Sequence, residues 1–454
     1  MGSIPVSGLL AGVQSDLDIL NVQDFGAVGD GTTDDSGAIQ DALDAAVVGQ
    51  TVCLPPGSYK VNAGLTMTKN GVKLCGGGGE GAKLIAGTAG LNTVTLTGRR
   101  QRLERLQFQS PFVSTSASAN ITLDGAGEAF LHDIVSQGGF YGLRSIGGTY
   151  DSVFDKLNLL DTYGGAHFYV QGGSGNYIRR CKLDQMWPAG CPVNANLKGA
   201  WAASTVYATG DVVISNGYYL QCTSGGTSGT VAPGAQVYGI DITDGTVTWR
   251  TANNANSYAF LVESDSFYQS LQDCDMTGAF RAGFAVKNSH AGTAPQKIIM
   301  ERVEIGEAVV YGGELTAGAG FHATNCTVSK LVQSPSNGLY FNGFTGDVIV
   351  QNCLLYPGYT GIQISSGRNT IIGGNVIAAC TNKAVSVAAG VSHFIVAGNN
   401  LGSSATWGAN GTAVAVANGA SDYYNIVNNV VNGNSVGGIV DGGTGTNKTV
   451  SGNV

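Results

Sequence analysis

Charge is scarce in this chain. Asp, Glu, Lys and Arg make up 12% of the 454 residues, about half the usual share of ~25%. The formal net charge is -8, so there is no basic field to displace counterions from a nucleic-acid backbone, which excludes a backbone-driven nucleic-acid binder. Proline is low at 10, and Gly shows no strict every-third repeat, which excludes a collagen helix. No apolar run approaches the ~18 residues a membrane span needs. The nine Cys are odd in number and contain no C-x-x-C pair, so neither a disulfide framework nor a zinc site is expected. They read as small buried hydrophobes. No metal or cofactor is expected. The opening MGSIPVSGLLAGVQSDLDIL has no Lys or Arg and no sustained apolar segment, so it does not read as a secretory signal. Residues 1–18 read as a leader or linker.

Apolar residues and glycine are plentiful. Hydrophobic residues reach 43%, enough for a large core, and this argues against disorder. Gly numbers 70, roughly twice the usual share. The chain also repeats. A small residue followed by apolar-x-apolar recurs from Ala259 through Gly283, Ala308, Gly338, Gly361, Ala384 and Ala413 to Gly438, at spacings of 23 to 30. Half a period away runs a second unit, an anchor two residues before an apolar one. Its anchors are Glu104, His132, Asp155, Cys181, Cys274, Glu301, Cys326, Cys353, Asn375, Asn399, Asn428 and Asn453.

Two ladders sharing one period describe a chain that winds in stacked coils. The strands alternate in steps of two, with one buried face. Gly and Asn supply the left-handed corners. The pattern indicates an all-β parallel β-helix, with coils about 4.8 Å apart and a rod very roughly 60 Å long. The inward anchors read as stacked Cys and Asn. Glu104, His132, Asp155 and Glu301 share their register, which is awkward for an inward position and points to a corner.

One gap between anchors, from Cys181 to Cys274, is 93 residues long. Within it, residues 199–251 hold Trp201, Trp249, Tyr207, Tyr218 and Tyr219, with turns at Asn216-Gly217 and Asp244-Gly245. Alternating strands with such turns indicate a compact antiparallel module inserted in a solenoid loop. It resembles the chitin-type carbohydrate-binding modules that recur in phage tail proteins. Trp201 and Trp249 suit a small core. Alternation would aim one of Tyr218 and Tyr219 outward, where a ring could stack on a sugar. The solenoid then divides into residues 19–198, with the N-terminal cap and first coils, and residues 252–454.

In ILNVQDFGAVGDGTTDDSGAIQDALDAAVVG the period becomes helical. Asp34, Asp35 or Ser36 can cap a helix whose apolar stripe is Ile39, Ala42, Leu43 and Ala46, and such a helix would cover the open first coil. Asp30, Asp34 and Asp35 read as capping residues, not as a metal loop. The segment NVQDFGAVGDGTTDDSGAIQDAL, followed by LPPGSY, resembles the opening of the pectate-lyase-like right-handed β-helix superfamily. Together with the insert, the nearest resemblance is to bacteriophage tailspikes and polysaccharide depolymerases. That resemblance implies a homotrimer on the virion tail, made in the bacterial cytoplasm without a signal peptide and acting on a bacterial surface polysaccharide. The chain stops at SGNV in mid-repeat, so partner chains or further residues are expected over the last coil.

Glycan hydrolysis needs an acid and a second carboxylate flanking the bond. Elimination from a uronate needs a base and a group that neutralises the carboxylate. Stacking makes residues one coil apart neighbours at about 5 Å. On the first ladder this places Glu263 next to Lys287 and Asp265 beside Ser289, with His290, Tyr311 and Glu314 continuing the patch. Glu263 and Asp265 are the leading acid/base pair, and His167, Tyr169, Lys287 and Tyr311 would bind sugar. The second ladder offers a rival line of Asp184, Asp275 and Glu304. Beyond residue 340 the outward positions read as packing. The expected activity is an endo-acting glycoside hydrolase. The alternatives are a polysaccharide lyase and a non-catalytic glycan-binding adhesin.

Overall fold

The computed structural model describes residues 19–77, 81–114, 117–187, 196–237, 239–402 and 408–454; the leader assigned to residues 1–18 lies outside them. The chain forms a right-handed parallel β-solenoid of about 16 turns. At about 4.8 Å per turn the rod is about 75 Å long. The sequence estimate fell short because its anchors begin at Glu104, whereas coils already stack from Ile19, which pairs with Thr51.

From Arg105 onward each coil turns a corner on one residue with left-handed backbone. Along one corner these are Arg105, Asp133, Lys156, Arg180, Asp273, Arg302, Asn325, Asn352, Gly374, Gly398, Asn428 and Gly452. A non-Gly residue there costs roughly 1–2 kcal/mol, and Asn and Gly take over in the later coils.

This corner separates two columns that the sequence reading had merged. Glu104, His132, Asp155, Arg179, Gln272 and Glu301 stack before the corner and carry the charge. His132 Nδ1 lies 3.2 Å from Asp155, and Arg180 donates to Asp155 at 2.8 Å. Cys181, Cys274, Cys326 and Cys353 follow the corner and are buried in the main core. Asn375, Asn399, Asn429 and Asn453 continue this inner column, each Nδ2 donating to the next Oδ1 at 2.9 Å. Asn428, the expected anchor, is instead the exposed corner residue. The slip arises because two Asn adjoin and only the second turns inward.

The helix Ser36–Ala45 buries Ile39, Ala42, Leu43 and Ala46 against the first coils. Asp34 accepts the Ser36 amide at 3.1 Å. Asp35 holds the Val28 and Gly29 amides at 2.6 and 3.1 Å, and Asp30 holds those of Thr32 and Thr33. These carboxylates serve backbone amides.

The insert forms its own five-stranded sheet, between the strands Asn196–Ala200 and Val247–Asn254; the sheet is mixed and not wholly antiparallel, because Asn196–Ala200 pairs parallel with Asp211–Ser215. One face buries Trp249, Tyr218 and Tyr207 together with Tyr163 of the solenoid. The opposite face packs Tyr219, Val212 and Ala252 on Ala279 and Val309. The module is therefore docked on both sides, and this accounts for both Tyr218 and Tyr219 being buried. No helix among the described residues is long and apolar enough to cross a membrane.

Candidate functional site

Two places on the solenoid bring together the residues that the sequence singles out as candidate carboxylates and sugar contacts. The first is the outer face of the strands Ala166–Arg179, Tyr258–Gln272, Ala282–Val286 and Tyr311–Leu315. Phe168, Phe260 and Phe284 point inward and stack. Between and beside them the outer face carries a row of tyrosines. Tyr141 stacks on Tyr169 with centroids 4.8 Å apart, and Tyr311 stacks on Tyr340 at 5.4 Å.

Glu314 centres this face. Arg281 grips both its oxygens at 3.1 and 3.0 Å, and the Lys287 ammonium lies 3.2 Å away. Burial pushes the Glu314 carboxyl up, but the Arg281 hydrogen bonds and the two cations outweigh it and hold the group below its usual range. Lys287 also donates to the Tyr258 hydroxyl and lies 4.6 Å from that ring's centre. Burial, then the Glu314 charge, pushes the Tyr258 phenol up. Sequence spacing placed Lys287 beside Glu263, and the backbone register agrees, with Val262 opposite Val286. The long Lys side chain reaches on to the next coil, so its ion pair is with Glu314.

Glu263, Ser264 and Asp265 each hold the loop 288–293. Glu263 is buried and accepts the Ser289 amide and hydroxyl, both at 2.9 Å. His290 Nδ1 lies 3.7 Å from it. Ser264 donates to Asn288 and to the His290 carbonyl. Asp265 is exposed at φ 62 and accepts the Thr293 amide at 2.8 Å and its hydroxyl at 3.0 Å. Ser289 thus partners Glu263, whereas spacing had set it beside Asp265. The loop lengthens this coil, and the left-handed residue 265 turns away from the strand.

His167 is wholly buried. Its Nδ1 is 2.7 Å from the Thr162 hydroxyl and its Nε2 is 3.1 Å from the Asp184 carbonyl. Burial drives its pKa down to about 3. Neither nitrogen is left for a sugar, and the Tyr218 and Tyr219 rings are enclosed by the module's two interfaces. Among the expected sugar contacts, Tyr169 and Tyr311 lie on the outer face, Tyr169 largely covered and Tyr311 half-buried.

The second place is the corner beneath the module. Here Asp275 pairs with Lys182 on one side and Glu304 on the other. Asp184 pairs instead with Leu160 and Thr277, one column further along. The expected three-carboxylate line is therefore split, with Asp275 and Glu304 adjacent and Asp184 apart. Asp184 has the Lys182 ammonium at 3.0 Å and gains different carboxyl neighbours. Asp161 and Glu307 occupy the corner itself at φ 49 and 58. Asp161 is 2% exposed. Burial pushes its carboxyl up, hydrogen bonds from Gln137 at 3.1 Å and the Met186 amide at 3.3 Å draw it down, and the Asp184 charge pushes it up again; the net shift is upward. Burial, opposed by Lys330 and aided by Asp184, raises Glu307 as well. Asp161 lines a cavity of about 140 Å³ with Gln109, Gln137, Tyr163 and the module's Val237. Among the described residues no cluster of His, Cys, Asp and Glu could hold a metal ion.

Asp161 and Glu307 lie just past a strand end, outside the outward-facing strand positions that alternation selects as candidates. Their signal was a carboxylate directly after the column that holds Leu160, Asp184, Thr277 and Gly306. Tyr141 and Tyr258 were missed because they precede the inward residues the repeat was counted on.

Comparison with known proteins adds the following. Mannuronan C5-epimerase AlgE4 of Azotobacter vinelandii is 51% identical over 78 residues, 15% of this chain and 14% of that protein. Alginate lyase 7 of the same organism is 61% identical over 46 residues, 10% of this chain and 5% of that protein. The chain thus matches only a small part of these relatives. Among solved structures, the pre-mature bacteriophage phi29 gene product 12 superposes over 98% of this chain and 57% of its own, with TM-score 0.68 and 14% identity. The AlgE4 A-module superposes over 95% of this chain and all of its own, with TM-score 0.52 and 16% identity. These likenesses are of fold. Residues 19–98 match the family of rhamnogalacturonase A/epimerase, pectate lyase-like proteins, and the coils that follow carry the same right-handed parallel β-helix onward.

Proposed function

We propose that this chain depolymerises a bacterial surface polysaccharide by hydrolysing its glycosidic bonds, as a tailspike-like protein on a phage virion. The observation that carries this is the pair Asp161 and Asp184. They lie on neighbouring coils in unlike environments, one buried with its carboxyl pushed up, the other partly buried beside Lys182. Carboxyls in unlike surroundings divide into acid and base roles, and the Asp184 charge acts on Asp161, so the two share one corner. Asp161 is the general acid and Asp184 the base or nucleophile. The module's Val237 and the solenoid's Gln137 wall the cavity that Asp161 lines. Glu263 and Asp265, the pair favoured by spacing, act here by holding their loop. The tailspike reading carries with it a homotrimer.

A second reading, β-elimination or epimerisation at a uronate, is favoured by Lys287, Arg281 and Tyr258 on the tyrosine face. Two cations there could neutralise a uronate carboxylate, and the relatives matched at the N-terminus are named as mannuronan epimerases and an alginate lyase. Incubation with capsular and exopolysaccharides separates the readings. Hydrolysis releases reducing ends without ultraviolet absorbance, and this release falls at least ~100-fold in Asp184→Asn and Asp161→Asn while glycan binding persists. Absorbing, unsaturated products that vanish in Lys287→Ala would establish elimination instead. Binding without any product would make the chain an adhesin.

A further inference from the structure

Beyond residue 340 the outward positions read as packing alone, yet cavities lie there. Three adjoining hollows, of about 390, 380 and 260 Å³, follow one corner of the solenoid between Gly343 and Asn425. Two columns build the first. On the strand side, Ile349, Ile371 and Ile395 stack across successive coils and end at Asn425. On the corner side stand Asp347, Asn369, His393 and Tyr423, spread over about 14 Å. Arg368 is exposed and lines the other two hollows.

The His393 and Tyr423 rings lie parallel within 10°, with centroids 5.0 Å apart. Tyr423 is 56% exposed, so this stack is no part of the core. Both residues hold left-handed backbone, at φ 58 and 51. Asn and Gly are at ease there, and His is enriched among the non-Gly residues that adopt it. Asn369, one coil before, fills the same position at φ 53.

The chemistry on offer is specific. A flat ring ledge beside the half-buried Ile349 and Ile371 and the exposed Ile395 suits the C–H face of a pyranose. Asp347, with an oxygen held by Asn369 at 3.1 Å, and Asn425 suit its hydroxyls. Mostly apolar lining with a few placed polar groups is the make-up of a ligand site. We propose that this corner is a second glycan-binding groove, which holds a pyranose chain across His393 and Tyr423 apart from the Asp161–Asp184 corner. It rests on the glycan reading above for the class of its ligand.

The test uses the full chain on an array of bacterial capsular and exopolysaccharides. Tyr423→Asn and His393→Asn keep a residue that accepts left-handed backbone, so the coils persist. Binding to the glycan retained by the unaltered protein is expected to weaken at least tenfold in each, and more in the double variant. Release of reducing ends from short oligosaccharides is expected to be unchanged. Equal retention by protein and variants, or retention of no glycan at all, overturns the groove. So does a change in oligomer mass by light scattering with glycan binding intact, which would make the corner a contact between copies. If Asp184→Asn still cleaves while Tyr423→Asn loses binding, the catalytic assignment falls and the groove stands.

Discussion

The Asp161 amide donates to the Asp184 carbonyl at 3.2 Å, so the two carboxyls are fixed to adjacent rungs of one ladder. The consequence is electrostatic. Asp161 titrates above its ordinary 3.8 because of burial first and the Asp184 charge as well. A folded-state pKa above the unfolded one means the folded chain binds more protons in that window. Stability therefore falls as pH rises from about 4 through the folded pKa. Asp161→Asn is expected to flatten this slope in denaturant titrations. Asp184→Asn is expected to lower the Asp161 pKa itself, read by carboxyl NMR. An unmoved Asp161 pKa in that variant would sever the proposed coupling.

His167 titrates in the opposite sense. It is enclosed and its pKa is depressed to about 3 from 6.5. The unfolded chain binds the proton first, so stability is intact above pH 6.5 and is lost as pH falls towards 3, by up to roughly 5 kcal/mol. Equilibrium unfolding at pH 7 and pH 5 should show the loss, and His167→Gln should reduce its pH dependence. If the side chain instead bound sugar, the variant would lose affinity with no change in acid sensitivity.

Asn399 and Asn428 should respond very differently to replacement. Asn399 is buried, accepts from the Asn375 amide and side chain, and donates to Asn429 and the Ile372 carbonyl. Asn399→Ala leaves buried groups unpartnered at ~1–3 kcal/mol each, for a loss of about 2–4 kcal/mol. Asn428 is exposed at φ 56, so Asn428→Gly should be neutral within about 0.5 kcal/mol. Equal losses would mean that the inner ladder carries no special share of stability.

The same contrast marks what was legible in the chain. Coil period, capping helix and inserted module were readable because each rests on local pattern: a period of two, a stripe at three and four, and a break in spacing. Glu104 and Cys181 were read as one column because a corner residue adds a position without changing the repeat. Lys287 was given the wrong acid because backbone register predicts neighbours, while a long side chain chooses among several. Asp161 was missed because its position lies past the strand end, where alternation no longer tells inside from outside. The His393 and Tyr423 ledge was missed for the same reason.

Glu263 and Asp265 accept four hydrogen bonds from the loop 288–293. If their work is mechanical, Glu263→Gln with Asp265→Asn should loosen that loop and leave the chemistry largely in place. A neutral amide can still accept one hydrogen bond, but the charge-assisted contribution to the Ser289 and Thr293 amides is lost, at roughly 1–3 kcal/mol for each site. The expected result is faster proteolytic cutting between residues 288 and 293, a lower melting temperature, and less than a tenfold change in product release. Loss of all product with the loop still protected would return the acid/base pair to these two residues and remove it from Asp161 and Asp184.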